Sequence, residues 1–232
     1  RRVLFRAVAE ARRLGARVVQ VNHPRGSSGL FNSAEFDPID GPDLVDPAYW
    51  PGDFDSIEVF NGPGDTCEVL HDWFSLLSRG WRVAGVGNSD THSLGTPVGF
   101  PRNFLGVPTT DPAALTEDMI ADAFDALDVT VSGGLLIDFP EGHRPGDTLS
   151  LPEVAPDAGG TLPLRVRVQS TQWASANTLL VFVNGVETQR VALSPSAPTD
   201  TVDFNDVVTV DLTRDSHVVF FALGDARMLN VT

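Results

Sequence analysis

The sequence predicts an α/β domain over residues 1–139 and a small β-sandwich over residues 140–232. Three observations support this division. Helix-like and strand-like segments alternate through the first part, which is typical of parallel βαβ units. A stretch rich in glycine and proline follows at residues 140–149. Beyond it, short segments of alternating polarity indicate an all-β domain. With 232 residues, 42% of them hydrophobic, the chain is long enough to build both cores.

The first domain opens with a helix, because apolar residues recur at helical spacing over residues 3–11 and Gly15 ends the pattern. Residues 17–21 read as a buried strand and residues 56–60 as a second strand. Between them, residues 37–55 are rich in proline, glycine and acidic residues and predict a long loop. A solvated excursion, a lid and a weak Ca²⁺ site all fit this loop.

The second half of this domain continues the alternation. Residues 67–78 predict a helix, residues 82–86 a strand, and residues 129–132 a short strand. Between these strands, Asp111 as N-cap and Pro112 at the first helical position predict a helix that reaches about Leu127.

The closing domain contains four strand-like segments. Residues 164–168 alternate strictly, and residues 179–183 precede Asn184 and Gly185, a strong hairpin signal. Two further apolar segments complete the set, at residues 207–212 and 217–223.

Composition excludes several classes of protein. The net charge of -15 argues against nucleic-acid binding through a basic face. All 16 basic residues are arginine, so the segment offers no lysine for Schiff-base or P-loop chemistry. The single cysteine, Cys67, excludes a disulfide framework within the chain. No apolar run reaches the roughly 18 residues of a membrane span, so we expect no transmembrane segment.

Polar side chains follow three of the predicted strands. His23 follows the first strand, Glu58 and Asn61 lie at the end of the second, and Asp90 and His92 follow the third. In parallel α/β folds the chemistry sits beyond the carboxyl ends of the strands. Residues two apart on an extended chain face the same side, so the Asp90 carboxylate and the His92 imidazole are expected to converge. With His23 they predict a zinc or manganese site.

A serine hydrolase is a weaker alternative. Gly87 to Ser89 matches the start of a nucleophile elbow, but Thr91 occupies the position where the elbow needs glycine.

These motifs, in this order, resemble the later motifs of the PHP-domain metallohydrolases, in particular the CehA/McbA branch. The resemblance rests on residues 21–25 (Val-Asn-His-Pro-Arg), 54–62 (Phe-Asp-Ser-Ile-Glu-Val-Phe-Asn-Gly) and 87–92 (Gly-Asn-Ser-Asp-Thr-His). Residues 101–104 and 183–185 also fit the family.

The resemblance implies the second half of a distorted (β/α)₇ barrel, followed by the β-sandwich, with two or three divalent ions (Zn, Mn or Fe) in the complete protein. His23, Asp90 and His92 would be metal ligands. Asp90 and Glu58 would serve catalysis, the latter behind the ligands or on the substrate side. Asn61 and Arg25 would contact the substrate, Arg25 through an anionic group.

The family opens with a His-x-His motif, which this sequence lacks. We therefore expect the chain to be part of a longer protein whose upstream segment completes the barrel and the metal centre. The expected activity is hydrolysis of a small phosphoester or carboxylic ester by metal-activated water. The alternative is a non-catalytic barrel remnant that carries a β-sandwich for binding or adhesion.

Overall fold

A computed structural model describes residues 2–45, 49–50, 52–62, 67–95, 98–151, 159–171, 174, 176–194 and 201–224. The chain divides into two compact units, residues 1–131 and 132–232. The division falls earlier than the boundary after Phe139 that the sequence suggested. Strands hold 36% of the residues and helices 20%, so the fold is mostly β.

The first unit is built on a three-stranded parallel sheet in the order β1-β2-β3. Its strands are β1 (Gln20–Val21), β2 (Ser56–Asn61) and β3 (Ala84–Asn88). The helices before and between them are α1 (Arg2–Arg13), α2 (Leu30–Ala34) and α3 (Cys67–Ser78). Because all three strands run in the same direction, their carboxyl ends meet at one edge of the sheet.

Helix α3 has the bounds that its apolar spacing predicts. Val69, Asp72 and Leu76 lie on one face at helical spacing, and all three are buried. Gly80 follows with a φ of 79°, a left-handed conformation that glycine adopts without strain and that ends the helix.

Side chains in the last turn of α3 and just beyond it bond to the start of the long acidic loop. The Ser75 hydroxyl donates to the Pro38 carbonyl at 2.6 Å, and the Arg79 guanidinium donates to the Ile39 carbonyl at 2.6 Å. A short 3₁₀ turn follows at Gly41–Leu44. The loop backbone at Pro38 and Ile39 is therefore held near the end of α3 by side chains that lie 37 and 40 positions later in the sequence.

The predicted fold, the second half of a (β/α)₇ barrel, is wrong. After β3 the chain forms β4 (Arg102–Leu105), which pairs with β5 (Val129–Ser132) in a separate two-stranded sheet. In the described part of the chain the parallel sheet has three strands, and the Asn103 side chain bonds to the backbone of Gly87 in β3. Its amide oxygen accepts from the Gly87 N–H at 2.8 Å, and its amide nitrogen donates to the Gly87 carbonyl at 2.9 Å. These bonds satisfy the backbone groups that a neighbouring strand would use.

The helix expected from Asp111 to Leu127 is divided in two. Asp111 does cap, since its carboxylate accepts from the Ala113 N–H at 2.9 Å, but only a 3₁₀ turn follows, Pro112–Ala114. Helix α4 (Glu117–Asp125) then begins with its own cap, in which the Thr116 hydroxyl accepts from the Met119 N–H at 3.3 Å.

The second unit contains two three-stranded antiparallel sheets, with orders β10-β7-β6 and β11-β8-β9. The strands are β6 (Leu135–Asp138), β7 (Gly160–Ser170), β8 (Ala176–Val183), β9 (Val186–Ala192), β10 (Val202–Leu212) and β11 (Val218–Gly224). Residues of both sheets, among them Val166, Val181 and Val210, form one buried apolar cluster.

The hairpin predicted at Asn184 and Gly185 is confirmed. These two residues join β8 to β9 with φ values of 52° and 78°. Positive φ at both central residues is the backbone of a type I′ turn, which suits asparagine followed by glycine.

Among the helices of the described residues, none has the length and apolar character needed to cross a bilayer.

Candidate functional site

The candidate site lies at the edge where β1, β2 and β3 end. His23 stands two residues after β1, Asn61 is the last residue of β2, and Asp90 stands two residues after β3. His23 has a φ of 31° and Asp90 a φ of 45°. A left-handed residue other than glycine costs about 1–3 kcal/mol unless its surroundings hold it, and such residues concentrate at functional sites.

Asp90 and His92 form a direct pair. The His92 Nε2 atom lies 2.9 Å from Asp90 Oδ1, and their side chains are 83% and 39% exposed, respectively. The sequence analysis expected this contact from strand alternation, but both residues lie beyond the end of β3. The backbone is left-handed at Asp90, with a φ of 45°.

The pKa of the Asp90 carboxyl is lowered by its neighbours. The hydrogen bond with His92 has the largest effect, and a hydrogen bond with the Asn61 amide adds to it. The charges of His92 and then His23 lower this pKa further. Both imidazoles and the Asn61 amide thus favour the carboxylate form of Asp90.

Glu58 is almost completely buried, with 2% of its surface exposed. Its Oε2 atom accepts from the His23 backbone N–H at 2.5 Å and from the Asn61 amide at 2.9 Å, while Oε1 accepts from the Asn88 amide at 2.8 Å. A hydrogen bond to a charged group contributes about 1.5–3 kcal/mol. That range matches the cost of the left-handed His23, so the bond from Glu58 is strong enough to hold this turn.

A glycine lets the chain fold closely around His23. An ideal Cβ at Gly29 would lie 2.3 Å from the Pro24 carbonyl oxygen and 2.5 Å from that of His23. The Gly26 N–H donates to the His23 carbonyl at 2.8 Å and the Phe31 N–H donates to that of Pro24 at 3.0 Å. The His23 turn is therefore packed against the backbone at the start of α2.

Arg25 lies away from solvent and is bound within the first unit. Its Nε and Nη2 atoms donate to the two carboxylate oxygens of Asp72 at 2.7 Å and 2.6 Å, and Nη2 also donates to the Phe36 carbonyl at 2.9 Å. Only 15% of the Arg25 side chain is exposed. Contact with an anionic substrate, as the sequence analysis expected, would require Arg25 to leave these partners.

Sequence reasoning did not identify Asp72, Asn88 or Asn103. Asp72 could have been found, because it shares the buried face of α3 with Val69 and Leu76 and a buried carboxylate needs a partner. Asn88 and Asn103 gave no such signal, because their roles depend on which strands lie side by side.

Ser89 has the Thr91 hydroxyl as a described partner, with the two oxygens 3.1 Å apart. This contact places a second hydroxyl beside Ser89. A serine nucleophile needs an adjacent base, and a hydroxyl does not provide one.

The donor set suits a transition metal only in part. Two imidazoles and a carboxylate are ligands that zinc and manganese accept. Asp90 and His92 are in contact, and His23 follows β1 at the same edge of the sheet. In the described ranges of the chain, however, no three side chains of His, Cys, Asp or Glu already surround one point. A bound ion would therefore require these side chains to move.

Comparison of the chain with protein-family models, with curated proteins and with solved structures gave no match.

Proposed function

We propose that the edge of the parallel sheet formed by His23, Asp90 and His92 binds a divalent metal ion and that the protein is a metal-dependent hydrolase. The observation that carries this proposal is the contact of Asp90 with His92 beyond the end of β3, at the edge of the sheet where His23 follows β1. The resemblance of the strand-end motifs to those of PHP-domain metallohydrolases supports the same class, although the fold is not a barrel.

The three side chains would supply nitrogen and oxygen ligands to the ion. The two imidazoles offer neutral nitrogen ligands, and Asp90 offers an oxygen whose negative charge offsets that of the cation. An aspartate carboxyl is ionised at neutral pH, and the neighbours of Asp90 lower its pKa further. The hydrogen bond with the Asn61 amide adds to the preference of Asp90 for its charged form.

A divalent ion bound at this edge would polarise the ester oxygen of a substrate and acidify a water molecule. Asp90 and His92 are exposed by 39% and 83%, so a small ester or phosphoester can reach them from solvent. Glu58 is buried, and in this proposal it lies behind the reacting groups.

The test compares Asp90→Asn with Ser89→Ala in the full chain. Asparagine keeps the shape of Asp90 but removes its charge, so metal content and hydrolysis should fall together. Loss of a residue that only supports a ligand costs about 10–100-fold, and loss of a ligand should cost at least as much. Metal content is measured by elemental analysis. Hydrolysis of p-nitrophenyl phosphate, bis-(p-nitrophenyl) phosphate and p-nitrophenyl acetate is measured with and without a chelator.

Ser89→Ala serves as the control and should keep both metal and chelator-sensitive activity. An inactive Ser89→Ala protein with normal metal content, beside an active Asp90→Asn protein, would favour a serine mechanism. A wild-type chain that neither takes up Zn²⁺ or Mn²⁺ nor hydrolyses any of the three esters would favour the non-catalytic alternative.

A further inference from the structure

The Glu58 carboxylate joins the ends of all three parallel strands. Its donors are the His23 backbone N–H after β1, the Asn61 amide at the end of β2 and the Asn88 amide at the end of β3. Asn61 and Asn88 are paired residues of the two neighbouring strands. One buried side chain therefore contacts every segment that leads into the candidate site.

The contacts of Glu58 favour a carboxylate. All three partners are N–H donors, and an ionised carboxylate offers acceptors on both oxygens. A glutamine at this position has nearly the same shape, but one of its terminal atoms is an NH₂ group. That group fits only if the Asn88 amide turns to present its oxygen, and the acceptor then left for the His23 N–H is a neutral amide oxygen, which binds more weakly than a carboxylate.

The contacts also lead directly to the proposed metal ligands. The His23 N–H bond holds the backbone of the residue that carries the imidazole, at a φ of 31°. The Asn61 amide contacts Glu58 and also Asp90, so its orientation is shared between them. Changing Glu58 should therefore displace His23 and Asp90 together.

We propose that Glu58 is a positioning residue, which fixes the left-handed turn at His23 and orients Asn61 against Asp90 so that both ligands face the same ion. Its connection to metal binding rests on the proposed function. The assignment replaces the catalytic role that the sequence analysis expected for Glu58, because this side chain is buried and its oxygens are occupied by three donors.

The experiment measures backbone geometry and metal affinity separately, in wild-type chain, Glu58→Gln and the control Glu117→Gln. Glu117 is exposed at the start of α4. In the metal-free proteins, the resonance of the His23 amide proton should move upfield in Glu58→Gln. This shift should exceed the largest change of any amide resonance in Glu117→Gln. By calorimetry, the Zn²⁺ affinity of Glu58→Gln should be about 10–100-fold weaker than that of wild type. Glu117→Gln should match wild type.

The two readouts distinguish the two proposals. An unmoved His23 amide resonance in Glu58→Gln overturns the positioning role, whatever the metal result. Equal Zn²⁺ affinity of wild type and Glu58→Gln overturns the connection to the site and leaves the proposed function standing. Absence of Zn²⁺ binding to wild type, with the amide resonance displaced as expected, overturns the metal site and supports the structural part of the role.

A second variant covers the case in which Glu58→Gln does not fold. Asn88→Ala removes one donor from Oε1 and leaves the His23 and Asn61 contacts in place. The freed carboxylate should shift, so the His23 amide resonance should move in the same direction by a smaller amount. A resonance that does not move would contradict the network.

Discussion

Replacing Arg25 by methionine separates a structural role of this residue from a role in substrate binding. Methionine is unbranched like arginine but removes the guanidinium, whose Cζ lies 5.9 Å from the ring centroids of Phe31 and Phe36. It also leaves the Asp72 carboxylate, which is 0% exposed, without its cation. Removing one partner of a buried ion pair costs about 3–5 kcal/mol. Because 15% of the Arg25 side chain is exposed, some solvent reaches the pair. We therefore expect a loss near the lower end, about 3 kcal/mol of unfolding free energy at pH 7.

The loss should depend on pH in a defined direction. Burial already raises the pKa of Asp72, and the hydrogen bonds from Arg25 oppose that rise without cancelling it. Without Arg25 the pKa of Asp72 rises further. An acid whose pKa is higher in the folded state binds more protons there, so its contribution to stability falls as pH rises through that pKa. The deficit of Arg25→Met should therefore be smaller at pH 4 than at pH 7.

The assay is urea unfolding followed by tryptophan fluorescence. Three of the four tryptophans, Trp50, Trp73 and Trp81, lie in the first unit. The double variant Arg25→Met/Asp72→Leu replaces the ion pair by an apolar pair. It should recover most of the stability, because neither charge is then left unpaired.

The matched control is Arg13→Met, which breaks the pair of Arg13 with Glu10. Their side chains are 68% and 52% exposed, so the cost should stay below about 1 kcal/mol. If Arg25→Met costs no more than Arg13→Met, or if the effects of Arg25→Met and Asp72→Leu simply add, the structural role is refuted. A stable Arg25→Met protein that binds substrate poorly would instead support the role expected from the sequence.

Two further substitutions test the backbone and the second unit. Gly29→Ala should cost about 1–3 kcal/mol of unfolding free energy by urea titration, because the new methyl group would lie 2.3 Å from the Pro24 carbonyl oxygen. The control is Gly95→Ala, whose Cβ would meet nothing within 4 Å, and it should change the free energy of unfolding by less than about 0.5 kcal/mol. Equal effects of Gly29→Ala and Gly95→Ala would contradict the packing described around His23. Burial lowers the pKa of His217, so the folded protein binds fewer protons there and loses stability as pH falls below the ordinary histidine range of about 6.5. Between pH 7.5 and 5, the midpoint of thermal unfolding should fall less in His217→Gln than in wild type or in the control His143→Gln. If His217→Gln shows the same pH dependence as wild type, His217 is not the cause of the acid sensitivity.

Local patterns in the sequence were sufficient for elements that their own residues determine. Helix α3 has the predicted bounds because its apolar spacing and Gly80 act within a few turns. The β8–β9 hairpin forms where Asn184 and Gly185 allow positive φ. The strand expected over residues 17–21 was shortened to Gln20–Val21 by a distant residue, since the Val19 N–H donates to the Asp55 side chain at 2.5 Å.

Local sequence patterns could not predict which strands pair with each other. Alternating helices and strands indicated parallel units, and three strands do pair in parallel. The error lay in extending that pattern to a barrel. Asn103 bonds to Gly87 through its side chain, and β5 pairs with β4, a contact that depends on tertiary arrangement alone.

The sequence could predict part of the candidate site because the carboxyl ends of parallel strands meet at one edge of the sheet. That rule located His23, Glu58, Asn61 and Asp90 without knowledge of the sheet order. It did not reveal the connection of Glu58 to Asn88, which requires β2 and β3 to be neighbours in a particular register. It also did not reveal that Arg25 is engaged with Asp72, because these residues are 47 positions apart.

The most direct test of the proposed metal site is a titration of the full chain with Mn²⁺, followed through the imidazole resonances of its five histidines. A paramagnetic ion broadens the nuclei nearest to it. The account predicts that His23 and His92 broaden together at the lowest Mn²⁺ concentrations, while His71, His143 and His217 stay sharp. Broadening that spares His23 or His92, or that affects all five histidines equally, would contradict a shared site at the ends of β1 and β3.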